Sequence, residues 1–277
     1  MLTNETLAYL LPRAFNAAVR AGAEIMKVYR NRDDYDITVK SDNTPLTMAD
    51  RLAHNKIKEV LGETRIPILS EEGREMLYDE RRNWELFWLV DPLDGTVEFI
   101  KGNNEFTVNI ALMADNECVC SVVYVPYLAK AYVAERGLGA RLLTGIEPTE
   151  EALYTYDELR LSSTTLPLAA AAHEGFRIAV SRSHQTEETQ RYIDLMRERH
   201  ANIEVIEQGS SYKFCLLAEG IIDYYPRTTY TYEWDTAAAE LILAEAGGTT
   251  RSLPEYSPLS YNKADLHNPW FECYRHR

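Results

Sequence analysis

The chain has 277 residues, 45% of them apolar and 26% charged, ordinary values for a globular protein with enough length for one large domain or two packed ones. Its 29 basic and 43 acidic residues leave a formal net charge of −14, which excludes nonspecific binding of DNA or RNA. A small phosphorylated ligand is not excluded, because bound cations reverse the local sign. No basic-then-apolar leader opens the sequence, and no apolar run approaches the ~18 residues of a membrane span, so a cytoplasmic protein without stable membrane insertion is expected.

Apolar residues at Leu7, Leu10, Leu11, Ala14, Phe15, Ala18, Ile25, Met26 and Tyr29 recur at helical spacing, with Pro12 predicting a kink or a restart. Ile37 to Lys40 and a turn at Asp42-Asn43 predict a hairpin closed by Pro45. Thr47 then predicts the N-cap of a second helix, with Met48, Leu52, Ile57, Val60 and Leu61 on one face. Strands are predicted at Ile66–Leu69, Leu86–Val90, Phe106–Met113, Cys118–Val125 and Lys130–Ala134, with residues 73–85 a charged surface segment. The 4 cysteines have no zinc-ligand spacing; Cys118 and Cys120 alternate onto one strand face as buried thiols. Residues 142–160 read as a crossing segment. Beyond it strand and helix alternate at Arg177–Ser181, Glu187–Arg199, Ile203–Ile206, Tyr212–Ala218, Ile221–Tyr225 and Trp234–Ala246, and Gly247-Gly248 ends the last helix.

The most informative stretch begins where the Leu86–Val90 run meets Asp91-Pro92-Leu93-Asp94-Gly95-Thr96. Pro92 cannot donate to a sheet ladder and Gly95 permits a backbone conformation other residues resist, so two acids are predicted on a sharp strand-to-helix turn. A short helix from Thr96 to Lys101 turns its N–H groups to the same space. Clustered carboxylates suit hard cations and helix starts suit phosphate, so the turn predicts a metal-bound phosphate; an Asx turn that merely caps the helix is the plainer alternative. Glu71 and Glu72 past a strand end, Asp235 at a helix start and Asp50 in a capping box each have an equally plain explanation. Acids at four such places together favour the metal site.

Asp91-Pro-Leu-Asp-Gly-Thr96, followed by Glu98-Phe-Ile-Lys101 and Glu105-Phe-Thr-Val-Asn-Ile-Ala-Leu112, resembles the inositol monophosphatase superfamily of lithium-sensitive, magnesium-dependent phosphatases. Lys40 to Asp50, Leu69 to Glu72, Ser181 to His184, Gly209 to Gly220 and Glu233 to Glu240 fall in the family's order. Phe99-Ile-Lys101, Ser210-Ser-Tyr-Lys-Phe-Cys215 and Tyr225-Pro-Arg227 resemble its 3′(2′),5′-bisphosphate nucleotidase branch.

That resemblance implies a layered αβαβα sandwich of mixed α/β and α+β character. Residues 1–145 would form an α+β half with the metals and the catalytic groups, and residues 146–277 an α/β half that binds substrate, with the cleft between them. Glu71, Asp91 and the Leu93 carbonyl would hold one Mg²⁺, and Asp91, Asp94 and Asp235 a second. Asp50 would bear on a third ion or the attacking water, which Thr96 orients with Asp50 or Glu71 in reach. Leu93, Asp94, Gly95, Thr96 and Asp235 would border the substrate. Ser210, Ser211 and Lys213 would take its 5′-phosphate or ribose, and Arg227 a phosphate or the base; His184 and the Ser181-Arg182-Ser183 turn line the pocket or form a surface turn. The implied reaction is removal of the 3′-phosphate of adenosine 3′,5′-bisphosphate to give AMP, with adenosine 3′-phosphate 5′-phosphosulfate a further substrate. An inositol phosphatase or fructose 1,6-bisphosphatase with the same metals and a catalytically silent phospholigand-binding protein stand as alternatives, and a homodimer is allowed. Two departures bear on selectivity: Val97 stands where the branch carries Lys, and Thr228 to Tyr232 are rich in Thr and Tyr where relatives have a smaller loop.

Overall fold

The computed structural model of the chain describes residues 3–31, 35–39, 45–168 and 174–276. Helix α1 (Asn4–Arg30) starts at Thr3, whose side chain accepts from the Thr6 N–H, and runs through Pro12 as one element. The predicted restart does not occur, because a stripe of buried side chains from Leu7 to Val28 holds both sides of the proline in one packed helix. Strands β1 (Thr38–Val39) and β2 (Pro45–Leu46) make the predicted hairpin; Pro45 lies within its second strand, while Lys40 and the turn at Asp42-Asn43 lie outside the described residues. Helix α2 (Met48–Gly62) follows, with Thr47 Oγ1 accepting from the Ala49 N–H at 3.1 Å.

The larger sheet takes its strands in chain order: β3 (Ile68–Ser70), β4 (Leu86–Asp94), β5 (Thr107–Ala114), β6 (Glu117–Val125), β7 (Lys130–Glu135), β8 (Gly139–Thr144) and β9 (Thr164–Thr165). β3 and β4 are parallel, and every later neighbour is antiparallel. Short helices α3 (Tyr78–Arg81), α4 (Thr96–Lys101) and α5 (Tyr156–Leu161) sit in its connections. The expected crossing segment at 142–160 therefore holds the end of β8 and most of α5. A Thr-x-x-Glu capping box announces that helix: the Thr155 N–H donates to Glu158 Oε2 at 2.7 Å.

The second sheet has the order β11 (Ile203–Gln208), β10 (Phe176–Ser181), β12 (Tyr224–Arg227), β14 (Phe271–Arg275), β13 (Gly248–Ser252). Its first three strands are parallel, joined through α6 (Glu187–Arg199) and α7 (Tyr212–Glu219), and α8 (Glu233–Glu245) leads to β13. The predicted strand at Ile221–Tyr225 begins only at Tyr224, because the Ile221 N–H turns back to Leu216 O in the C-cap of α7.

α1 and α2 cover one face of the larger sheet, α7 and α8 fill the space between the sheets, and α6 covers the outer face of the second, an αβαβα sandwich. Trp88 and Val90 enter the core under α1 and α2, whereas Phe87 and Leu89 enter the core shared with α8, so β4 is apolar on both faces. Ala237, Ala238 and Ala239 keep α8 thin enough to lie between two sheets. Opposite Leu112 and Met113 the ladder carries a bulge at Val119, which sends Cys118 and Cys120 into different cores instead of onto one face. All four thiols are free and buried. The segment 73–85 is not wholly superficial either, since Arg81 is buried and donates to Asn262 Oδ1 at 2.8 Å.

Gly22 of α1 packs beneath Tyr124, whose hydroxyl is pinned to Ile146 O at 2.7 Å. A methyl group there would stand 2.4 Å from Tyr124 Cε1 and 3.3 Å from Pro126 Cβ. Helix propensity favours Ala over Gly by about 1 kcal/mol, but overpacking costs roughly 1–3 kcal/mol, so Gly22→Ala is expected to lower the urea midpoint. A raised midpoint would refute this account of the α1 contact.

Candidate functional site

The β4–β5 ladder pairs Asp91 with Asn109 and then resumes at Asp94 with Thr107. Pro92 lies in the skipped stretch, where no ladder N–H is needed. The strand thus reaches Asp94 through a bulge instead of stopping at the proline, as the sequence reading had it. Within the bulge the Leu93 N–H donates to Asp91 Oδ1 at 3.0 Å, the plain Asx turn, formed here inside a cluster of acids. Gly95 has φ +88°, and a Cβ on it would stand 2.9 Å from Glu105 O and 3.3 Å from Ser210 Cβ. Only glycine allows both the left-handed turn and this close approach of the β11–α7 loop.

Asp50 serves the helix and the cleft at once. Its Oδ2 accepts from the Thr47 N–H at 2.7 Å and the Thr47 hydroxyl at 2.5 Å, the predicted capping box. Its Oδ1 lies 3.1 Å from Thr96 Oγ1, which is also 3.2 Å from Leu93 O. Asp94 accepts from the Ser211 N–H and, at 3.4 Å, from Asn109 Nδ2. Asp235 is the third residue of α8 and not its N-cap: its Oδ2 accepts from the N–H of the true N-cap, Tyr232, at 2.8 Å. Trp234 stacks on the Tyr232 ring with centroids 4.8 Å apart. Glu71 follows β3, its N–H donating to Val90 O at 3.1 Å.

One cleft is lined by Glu71, Asp91, Leu93, Asp94, Gly95, Thr96, Ser210, Ser211, Lys213, Arg227 and Asp235, the residues anticipated from sequence; Asp50 stands behind Thr96. His184 is on its wall and not in a detached surface turn, and Val97 occupies the place noted above. Ser181, read together with His184, lines it as well, while Glu98, Tyr230 and Tyr232 also line it and were not anticipated. The Tyr-rich composition of 228–232 was the one signal that pointed to the last two.

The cleft has an acidic and a basic wall. Burial, reinforced by Glu71, Asp94 and Asp235, pushes the Asp91 carboxyl well above the usual range, and burial with Asp94 and Glu71 does the same to Asp235. Asp94 is raised too, by burial, against the opposing pull of Lys213 and the Ser211 N–H. Across from them Lys213 is 2% exposed, and its amine donates to Gln208 O at 2.9 Å and Ser210 O at 2.7 Å. Burial, then the neighbouring Arg227, lowers its pKa to about 7. Lys213 therefore braces the β11–α7 loop as well as facing the cleft. Ser211 is similarly engaged: besides its N–H on Asp94, its hydroxyl donates to Asn109 Oδ1 at 2.8 Å. His184 is held toward its neutral form by burial and by Arg227.

Among the described residues no three His, Cys, Asp or Glu side chains already close into a ligand shell. The donor set nevertheless fits a hard cation. The Glu71 and Asp91 carboxyls are in hydrogen-bond contact with each other inside a buried site, an arrangement that needs either a shared proton or a positive ion. Every donor is oxygen, as Mg²⁺ prefers.

This oxygen-rich cleft, at the bulged end of β4 in an αβαβα sandwich, places the chain in the inositol monophosphatase family, to which it belongs: the family's sequence profile matches residues 7–268. Among relatives, the 3′(2′),5′-bisphosphate nucleotidase CysQ of Escherichia coli (strain K12) is 36% identical over 265 residues, covering 95% of this chain and 98% of that protein. The protein of the same name from Salmonella typhimurium is 38% identical over 240 residues, 86% of this chain and 88% of its own. The crystal structure of CysQ from Bacteroides thetaiotaomicron superposes with a TM-score of 0.89 at 45% identity, covering 100% of both chains. SuhB from Bartonella henselae, 23% identical over 97% of this chain and 94% of its own, shares the fold with a TM-score of 0.73.

Crowded acids that a cation relieves give a direct test. Millimolar Mg²⁺ at about 100 times its dissociation constant is expected to add about 2.7 kcal/mol to the stability of the wild type. Asp91→Asn is expected to raise the metal-free Tm by about 3–6 °C and to lose most of the Mg²⁺-dependent gain. Scanning calorimetry with and without chelator reads both; a wild type indifferent to Mg²⁺ would dismiss the cation site.

Proposed function

We propose that the chain is a metal-dependent 3′(2′),5′-bisphosphate nucleotidase, which removes the 3′-phosphate of adenosine 3′,5′-bisphosphate to leave AMP and accepts adenosine 3′-phosphate 5′-phosphosulfate as a second substrate. The observation that carries this reading is one cleft with a carboxylate wall facing Lys213 and Arg227, in a chain 36% identical to a nucleotidase along nearly its whole length. A substrate with two phosphates uses both walls: one for the phosphate to be cut, one for the phosphate that stays.

In this reading Glu71, Asp91, the Leu93 carbonyl, Asp94 and Asp235 would hold two Mg²⁺ ions, with a third more weakly held near Asp50. Bound there, the ions offset the charge of the phosphate and of the leaving oxygen and make water a better nucleophile. The chain supplies the rest. The Thr96 hydroxyl donates its hydrogen to Asp50 Oδ1 and keeps a lone pair for a water proton, so Asp50 takes that proton through Thr96 as the water attacks in line with the leaving 3′-oxygen. Glu71 flanks the same water. The Gly95 and Thr96 N–H groups receive phosphate oxygens, and the positive φ of Gly95 turns that corner of the chain toward them. Ser210, Ser211, Lys213 and Arg227 border the second phosphate and the ribose. Residues 1–145 carry most of the metal ligands and residues 146–277 the basic wall, with Asp235 crossing to the acidic side. All of these come from one chain, so a homodimer is not needed to complete the site. No helix among the described residues is long and apolar enough to cross a membrane, and a cytoplasmic nucleotide substrate suits that.

Phosphate release with Mg²⁺, with and without Li⁺, is compared for adenosine 3′,5′-bisphosphate, myo-inositol 1-phosphate and fructose 1,6-bisphosphate. The nucleotide is expected to be strongly preferred and Li⁺ to inhibit; preference for either of the others would reassign the substrate while keeping the metals, and release from none would indicate a silent binding protein. Asp94→Asn is expected to lower kcat roughly a hundredfold or more, since its charge holds a cation that steadies the transition state. Arg227→Ala is expected to raise KM for the bisphosphate roughly tenfold or more, the loss of a charged hydrogen bond, and to spare the inositol phosphate. An equal rise for both would take Arg227 out of second-phosphate recognition.

A further inference from the structure

The loop Thr228 to Tyr232 consists wholly of Thr and Tyr, and its structure gives that composition a use. Its backbone is pinned: Arg227 Nη2 donates to Tyr230 O at 3.4 Å, the Asn268 N–H to Thr231 O at 2.8 Å, and Asn268 Nδ2 to Tyr232 O at 2.8 Å. Thr231 is buried, yet the Tyr230 side chain between these anchors is 76% exposed and lines the catalytic cleft. Single exposed aromatics are common on protein surfaces and need no explanation. This one stands at the end of a row of rings: its edge meets His267 at 5.9 Å, His267 leans on Tyr232 at 4.4 Å, and Tyr232 stacks on Trp234. Beside it Arg227 Nε is buried with no hydrogen-bond partner among the described residues, a donor suited to an anion on the same stretch of wall.

We infer that Tyr230 is the platform for the nucleobase: the planar base lies on its ring at the mouth of the cleft, while the phosphates occupy the two walls within. The inference rests on the bisphosphate-nucleotide reading and deepens it, because it makes the base, and not only the second phosphate, a determinant of specificity. Stacking suits a rim position, since every base offers a π-face and no buried polar atom must be matched. It also supplies orientation where Val97 provides no positive charge beside the phosphate.

The test compares wild type, Tyr230→Phe, Tyr230→Leu and Tyr230→Ala on adenosine 3′,5′-bisphosphate and on glycerol 2-phosphate, which has no base, and measures AMP binding by calorimetry. Tyr230→Ala is expected to raise KM for the nucleotide and Kd for AMP roughly 5- to 100-fold with little change in kcat, while Tyr230→Phe stays within about twofold. Tyr230→Leu, apolar but not planar, should resemble the alanine variant. Equal KM changes for both substrates, or an alanine variant that binds AMP like wild type, would overturn the platform and leave the nucleotidase reading standing. A wild type that prefers glycerol 2-phosphate would overturn both.

Discussion

Three aspartates crowd this cleft and a fourth stands behind it, and the surrounding chain exists in large part to hold them so. Each of Asp50, Asp91, Asp94 and Asp235 has an oxygen fastened to a backbone N–H: that of Thr47, Leu93, Ser211 and Tyr232 respectively. These donors belong to two helix starts, a bulge and the loop before α7, places where N–H groups have no ladder or helix partner of their own. The unsatisfied polar groups of one structural level thus become the fixed dipoles that offset repulsion at the next.

The basic wall is registered against the acidic one by a separate set of contacts. Glu105 accepts from the Gly209 N–H at 2.7 Å and from Arg182 Nε at 2.9 Å, tying the turn after α4 to the second sheet. Gly209 and Gly95 have no side chains to keep these segments apart, and a Cβ on Gly209 would stand 2.5 Å from Glu98 Cγ. Ser211 completes the joint by reaching Asp94 and Asn109 together. Charge separation across the cleft therefore depends on close approaches at Gly95, Gly209 and Ser211 together with the Glu105–Arg182 ion pair.

Much of this was legible in the chain. The acids at strand ends and helix starts, the capping box at Thr47 and the alternation of the second half all follow from local chemistry. Asp50 shows how one carboxylate can cap a helix with one oxygen and meet Thr96 of the cleft with the other. What was not legible depends on tertiary pairing. Pro92 reads locally as a stop, and only the partner strand reveals that the ladder skips it. The bulge at Val119 changes which core Cys120 enters without leaving a mark in composition. β13 and β14 are short and polar in part, and they are strands because they pair with each other and with β12. Lys213 reads in sequence as a substrate contact, and its burial against two carbonyls is a product of how the β11–α7 loop folds back.

The helical layer between the sheets has a consequence for how this enzyme family can be rearranged. α8 brings Asp235 to the acidic wall while its alanine face fills the core beneath the larger sheet, so a helix late in the chain completes a structure begun early. Chimeras that exchange one half for that of a distant relative would mismatch this helix against a foreign sheet and displace a carboxylate of the cleft in the same stroke. Recombination confined to 228–231, which precedes the N-cap of α8, would leave that helix in place. A new basic or aromatic rim is thus available by loop exchange, and a new acidic wall is not.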